Sequence, residues 1–277
     1  MSGADSAPKI ADRGDDSVRW WGSFSIDADS VLRWRVGPMR MWLARTDREW
    51  RVAHERGSDP FESALEAAEL CRDGCESSPG AVRVRFGFRS TTDMFRVLPA
   101  LPDRALIVRP EEPIHLPSGE ESILFISIPL WIGIHTGAPS TPLYETPIFR
   151  PSDTWFGPPT VAGGSCYASG TRARSSLEDL ALLPQRAVSV VRILNHADSE
   201  LPLERIRLPS PNLSLFASQD GQLWTEAVTL ERKEDGQSAS IDLERGPSGE
   251  IGPTELLVEP REPMERGLLM RAFDGLF

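Results

Sequence analysis

Hydrophobic and polar positions alternate one by one along much of the chain. Such a period of two sends successive side chains to opposite faces of a β-strand. Leu32-Arg33-Trp34-Arg35-Val36 shows it first, Gly37-Pro38 marks a turn, and Met39-Arg40-Met41-Trp42-Leu43 resumes the alternation. Thr46-Asp47-Arg48 reads as a hairpin tip, with Trp50 to His54 returning. Val82, Val84, Phe86 and Phe88 alternate with Arg83, Arg85 and Gly87 in the same way. Shorter apolar runs at 105–108, 123–128, 131–135, 187–194 and 203–208 extend the series of strands. Asp220-Gly221 and Asp235-Gly236 are hairpin signals, because these dipeptides accept the positive φ of tight β-turns. They predict a three-strand meander from 213–216, 223–230 and 238–243, and 256–258 reads as a last strand.

Two segments have a different period. Within 59–75, Phe61, Leu65 and Ala68 follow helical spacing, with Asp59 as a cap ahead of Pro60. In the tail 261–277, Met264, Leu268, Leu269, Met270, Phe273, Leu276 and Phe277 predict an amphipathic helix. Residues 1–17 are small, polar and charged and read as a disordered arm. The fold expected is all-β: two β-sandwich units, immunoglobulin-like or jelly-roll-like, at 18–150 (with a helical insertion at 59–75) and 151–260. The C-terminal helix follows; one elongated sandwich is the alternative.

Composition sharpens this picture. The 277 residues include 22 Gly and 24 Pro, above the roughly 12% usual for the two together. Proline cannot occupy a helix interior, so the excess argues against a helical bundle and for short strands joined by turns. The net charge is −11, from 30 basic and 41 acidic residues. That balance disfavours nucleic acid or an anionic membrane as a partner. The basic residues are 28 Arg and 2 Lys, a bias read mainly as genomic. The longest apolar stretch, 123–134, is broken by Pro129 and Gly133 and is shorter than the roughly 20 residues a membrane helix needs. The start of the chain lacks the basic and apolar regions of a signal peptide. Cys71, Cys75 and Cys166 make a poor disulfide framework. These features predict a cytoplasmic protein.

The candidate chemistry concentrates in 150–174, RPSDTWFGPPTVAGGSCYASGTRAR. Gly163-Gly164 could offer backbone N–H groups to an anion, with Arg150, Arg172 and Arg174 close in sequence. On a strand, Arg172 and Arg174 project from one face, where paired guanidinium groups hold carboxylate or phosphate. Arg150, Asp153, Trp155, Gly163, Gly164, Tyr167, Arg172 and Arg174 are therefore the expected ligand-binding residues. The competing structural reading pairs these arginines with Asp153, Glu145 or Glu178. A hydrolase using Cys166 or Ser165 is a third reading, although no G-x-S-x-G turn is present. The four histidines, His54, His115, His135 and His196, have no metal-binding spacing. No metal or cofactor is expected. Of the eight tryptophans, Trp34, Trp42, Trp50, Trp131 and Trp224 fit core positions, whereas Trp20, Trp21 and Trp155 are the surface candidates for a carbohydrate.

Several blocks together resemble a known family. They are Arg150 to Pro158, Cys166-Tyr167-Ala168-Ser169, Thr171-Arg172-Ala173-Arg174, Leu213-Ser214-Leu215-Phe216 and Gly221 to Glu226. The chain resembles the prokaryotic domain-of-unknown-function family 432 over residues 20 to 232, with 58–80 and the C-terminal tail as additions. The resemblance carries no catalytic residues and directs attention to 150–174. The leading expectation is a non-enzymatic interaction or regulatory module, meeting a protein partner or a second copy of itself (a homo-oligomer) through its tail. Binding of a small anion or metabolite by the 150–174 block is the alternative.

Overall fold

The computed structural model describes residues 19–71, 77–137, 141–157, 164–234, 238–264 and 269–274. Nearly all of it is β-structure, and the described residues hold only two short 3-10 turns, at Ser210–Asn212 and Gly249–Ile251, and no α-helix. No helix is long and apolar enough to cross a membrane. The expected arm at 1–17 lies outside the described residues.

The chain divides into two compact units. The first takes residues 1–100, 131–149 and 183–185; the second takes 101–130, 150–182 and 186–277.

The first unit holds two antiparallel sheets. One runs in the order Leu65–Leu70, Ser30–Val36, Met39–Arg45, Glu49–Arg56, Val82–Gly87. The other runs Gly22–Ser25, Met94–Ala100, Trp131–Thr136, Thr141–Pro147. Alternation supplies the core: Trp34 and Trp50 from the first sheet meet Phe24 and Phe95 from the second, with ring centroids 5.5 to 5.9 Å apart. Edge-to-face aromatic pairs of this kind add about 0.5–1.5 kcal/mol beyond the area they bury. Trp20 and Trp21, expected at the surface, are buried, and the Trp20 indole donates to the Pro184 carbonyl. Trp155 alone among the eight tryptophans is exposed. The Gly37-Pro38 turn forms as predicted; Gly37 has φ of 52°, and a Cβ there would lie 2.4 Å from the Gln185 side chain.

The helix expected within 59–75 does not form, because Leu65–Leu70 is a strand pairing with Ser30–Val36. The pairing matches charges that apolar spacing does not reveal: Glu66 and Glu69 bind Arg33, and Glu62 binds Arg35. Ala68 sits at φ of 51° where the register shifts. Such backbone is uncommon for a residue with a side chain and would interrupt a helix. Cys71 at the end of this strand is disulfide-bonded, although the sequence predicts a poor disulfide framework for the three cysteines.

The second unit carries a five-stranded sheet, Asp153–Phe156, Gly164–Ala173, Leu106–Pro110, Arg205–Leu208, Phe273–Asp274, and an eight-stranded sheet centred on Arg186–Asn195. Glu121–Pro129 runs antiparallel along one side of that central strand. Leu223–Trp224 and Val228–Arg232 line its other side in parallel. The expected meander is thus interrupted at 225–227, although its Asp220-Gly221 turn is present, with Gly221 at φ of 83°. The expected C-terminal helix is replaced by strands at Leu269–Arg271 and Phe273–Asp274, the latter docked on Arg205–Leu208.

A buried polar network ties the two sheets of the first unit together. Arg56 donates to the carbonyls of Pro147 and Ile148, to the Thr146 hydroxyl and to His54 Nδ1. Arginine cannot accept a hydrogen bond, so His54 Nδ1 is the acceptor and Nε2 carries the proton, donated to the Tyr144 hydroxyl at 2.6 Å. Burial, helped by the Arg56 charge, pushes the His54 pKa down from 6.5 to about 4. Burial also lowers that of His135. A depressed histidine pKa means that the fold holds the neutral ring, so its contribution is complete above pH 6.5 and is lost as pH falls toward 4. The melting temperature should therefore drop over that interval, and His54→Gln should flatten the slope while leaving the share of His135. An unchanged slope in the variant would show that His54 does not couple protons to folding.

Candidate functional site

Of the expected ligand-binding residues, Arg150, Asp153 and Tyr167 come together. Asp153 and Tyr167 are register partners on neighbouring strands. Arg150 donates to both Asp153 carboxylate oxygens, at 3.0 and 2.9 Å, and Arg104 donates to the same carboxylate and to the Ser165 hydroxyl. The Arg104 and Arg150 guanidinium groups lie 5.2 and 5.6 Å from the Tyr167 ring centroid. The Tyr167 hydroxyl donates to Asp103, and burial together with this carboxylate raises its pKa. Asp153 likewise holds Arg150 more firmly protonated. Both cations pair with the one Asp153 carboxylate, the kind of partner the competing structural reading expected for Arg150.

Arg174 is spent elsewhere, in an ion pair with Glu111, while its backbone exchanges hydrogen bonds with Phe125. Gly164 opens the strand Gly164–Ala173; Gly163 lies outside the described residues. Trp155 is exposed on the edge strand of the sheet. Cys166 is buried and its pKa is raised by burial, and its thiol faces the Gly164 carbonyl rather than a histidine. Ser165 faces Arg104. Among the described residues neither has the adjacent base that activates a nucleophile.

Arg172 has a different setting. Leu106–Pro110 and Gly164–Ala173 run parallel, and between Ala168 and Arg172 the register slips. Ser169, Gly170 and Thr171 bulge out there, with Gly170 at φ of 71°. The bulge walls a cleft of about 350 Å³, within the size range of small-ligand sites. Its floor is Ile107 and Ala168, and Arg109, Arg172 and Arg205 surround it. Arg109 and Arg172 are register partners, and Arg205 comes from the next strand over. Arg205 donates to the Trp155 carbonyl and lies over the Phe156 ring. Among the described residues the cleft lining has no carboxylate, and neither Arg109 nor Arg172 forms an ion pair.

Behind the bulge lies a fourth arginine. Arg186 is almost wholly buried. Its Nε donates to the Ser127 hydroxyl at 2.6 Å, and its Nη2 donates to the carbonyls of Ser127 and Ser169 and to the Thr171 hydroxyl. All these partners are neutral. A guanidinium so placed pays desolvation without a counter-charge, which lowers its pKa to about 10 and leaves it cationic at any physiological pH.

Arg109, Arg186 and Arg205 escaped the sequence reading because they lie outside 150–174. The alternation Arg205-Ile206-Arg207-Leu208 was visible, but nothing in it told which neighbour would pair. The bulge depends on Gly170, whose φ costs a residue with a Cβ about 1–2 kcal/mol. A Cβ there would meet no atom, so Gly170→Ala should lower stability by that amount through backbone strain alone. Chemical denaturation checks this; an unchanged midpoint would mean that the bulge tolerates ordinary backbone.

No curated protein and no solved structure matches the chain. The match of the family model begins at residue 20 and continues through 58–80 and the tail to 277, so both stretches fall inside the family pattern rather than adding to it. With that match spanning nearly its whole length, the chain belongs to the family described as protein of unknown function DUF432.

Proposed function

We propose that the protein binds a small anion, or an anionic group of a metabolite, in the Arg109–Arg172–Arg205 cleft of its second unit. The observation that carries this reading is the pair Arg109 and Arg172, set side by side with no ion pair and no carboxylate in the cleft lining among the described residues. Arginine abundance alone would not suffice, since the composition is biased. The first unit supplies the control. On its five-stranded sheet Arg33, Arg35, Arg40, Arg51 and Arg85 pair with glutamates, while Arg45, Arg56 and Arg83 donate to carbonyls and hydroxyls. Adjacent arginines with neither kind of partner among the described residues, as Arg109 and Arg172 are, are a feature that ligand binding accounts for.

A larger cleft of about 640 Å³ in the second unit has Phe125, Leu177 and Trp224 in its lining. It carries Asp220 and Glu244 as well as Arg192, so its charges favour no anion. The interaction-module reading, with docking through the tail, lacks comparable support. The described part of the tail is strand paired within its own unit.

The test is thermal unfolding with increasing sodium sulfate, in wild type and in Arg109→Ala/Arg172→Ala. Sulfate stabilises proteins generally by exclusion from their surfaces, so the difference between the two proteins is what counts. A site ligand at a hundredfold excess over Kd adds about 2.7 kcal/mol. Wild type should show that added rise and the double variant should not, at similar melting temperatures without salt. Equal rises in both proteins would remove the site.

A further inference from the structure

Building on the anion-site reading, we infer that the group the cleft takes is a doubly charged phosphoryl group rather than a carboxylate. Two observations point there. The first is geometric. A carboxylate offers two oxygens in one plane and is matched by a single guanidinium fork. Here guanidinium groups arrive from three adjacent strands, Gly164–Ala173, Leu106–Pro110 and Arg205–Leu208. A tetrahedral group with three terminal oxygens suits that convergence. Two of the three lining hydroxyls are engaged within the wall: Ser169 donates to the Thr171 carbonyl, and Thr171 donates to the Ser127 carbonyl.

The second observation is electrostatic. Arg186 sits behind the bulge with only neutral acceptors, one being the Ser169 carbonyl and another the Thr171 hydroxyl of the cleft wall. Its charge reaches the cleft through a poorly screening interior. A singly charged ligand would leave more of this positive charge unanswered than a dianion does. Arg186 is thus a positioning residue: it fixes the bulge and favours the higher ligand charge.

The decisive measurement is calorimetric titration of wild type with glycerol phosphate, sulfate and acetate at pH 5 and pH 7. A phosphate ester loses its second proton near pH 6, so its dianion fraction rises about tenfold across that interval. Sulfate stays doubly charged throughout and reports any change in the protein itself. The charged groups facing the cleft among the described residues are all arginines: Arg109, Arg172, Arg205 and, from behind, Arg186. Glycerol phosphate should bind about tenfold more tightly at pH 7 than at pH 5, sulfate should change little, and acetate should be weakest at pH 7.

Acetate matching glycerol phosphate at pH 7, or a pH-independent glycerol phosphate affinity, would overturn the phosphoryl assignment and leave the anion site standing. Binding of none of the three would overturn both. Arg186→Gln should erode the preference for glycerol phosphate over acetate more than Arg186→Lys, which keeps the charge. An equal effect of both would remove the electrostatic role of Arg186. Should Arg186→Gln not fold, the pH series on wild type still decides the assignment. Inorganic phosphate run beside the ester identifies whether the free ion or an esterified group is the source.

Discussion

With no α-helix among the described residues, the backbone N–H and C=O groups of the regular structure find their partners on other strands, and that constraint governs the rest. Turns have to be placed so that strands align, and each one-residue slip would turn a whole face inside out. Gly37 under Gln185 and Gly170 in the bulge are two of the positions where the main chain does what only glycine does easily. The sheets in turn present long faces to solvent, and arginine is the residue that covers them. Its aliphatic stem lies on the sheet while its fork reaches a glutamate on the next strand.

The same side chain therefore has two uses here, separated by what stands opposite it. In the first unit arginines and glutamates form a lattice across adjacent strands, in which Glu49 serves both Arg51 and Arg85 and its carboxyl is held below the usual range by them. Exposed pairs of that kind contribute little individually. In the second unit the glutamates are missing from one cleft and a buried arginine lies behind it. Charge is left over where a bulge has opened space, and that coincidence, rather than the number of arginines, supports the proposed site.

Much of this architecture was legible. The alternation at 32–36, 39–43 and 82–88 fell on strands, and the Gly37 and Gly221 turns sit where the dipeptides indicated. The segment 59–75 misled because Phe61, Leu65 and Ala68 fit a helical stripe, while the informative feature was the match of Glu62, Glu66 and Glu69 to the arginines of 30–36. Helical spacing is a local signal; the strand it lost to is held by partners about 30 residues away. Tyr167, Arg150 and Asp153 were recognised as belonging together, since they share one block. The cleft was not, because Arg172 meets Arg109 across a parallel pairing that spans more than 60 residues of sequence. Nor could periodicity show that Arg186, at the head of an apolar strand, would point into the interior with no counter-charge.

The division of the chain bears on how the protein is made. The strand Met94–Ala100 has Gly22–Ser25 on one side and Trp131–Thr136 on the other, but the intervening 30 residues, 101–130, belong to the second unit. A ribosome that has released only the first hundred residues has produced a sheet with one edge open. At about 5–20 residues per second that edge waits some seconds for its neighbour. Unpaired edges of this kind are templates for pairing with other chains. The interleaved topology thus places a demand on biosynthesis, since neither unit is complete until much of the other has been translated.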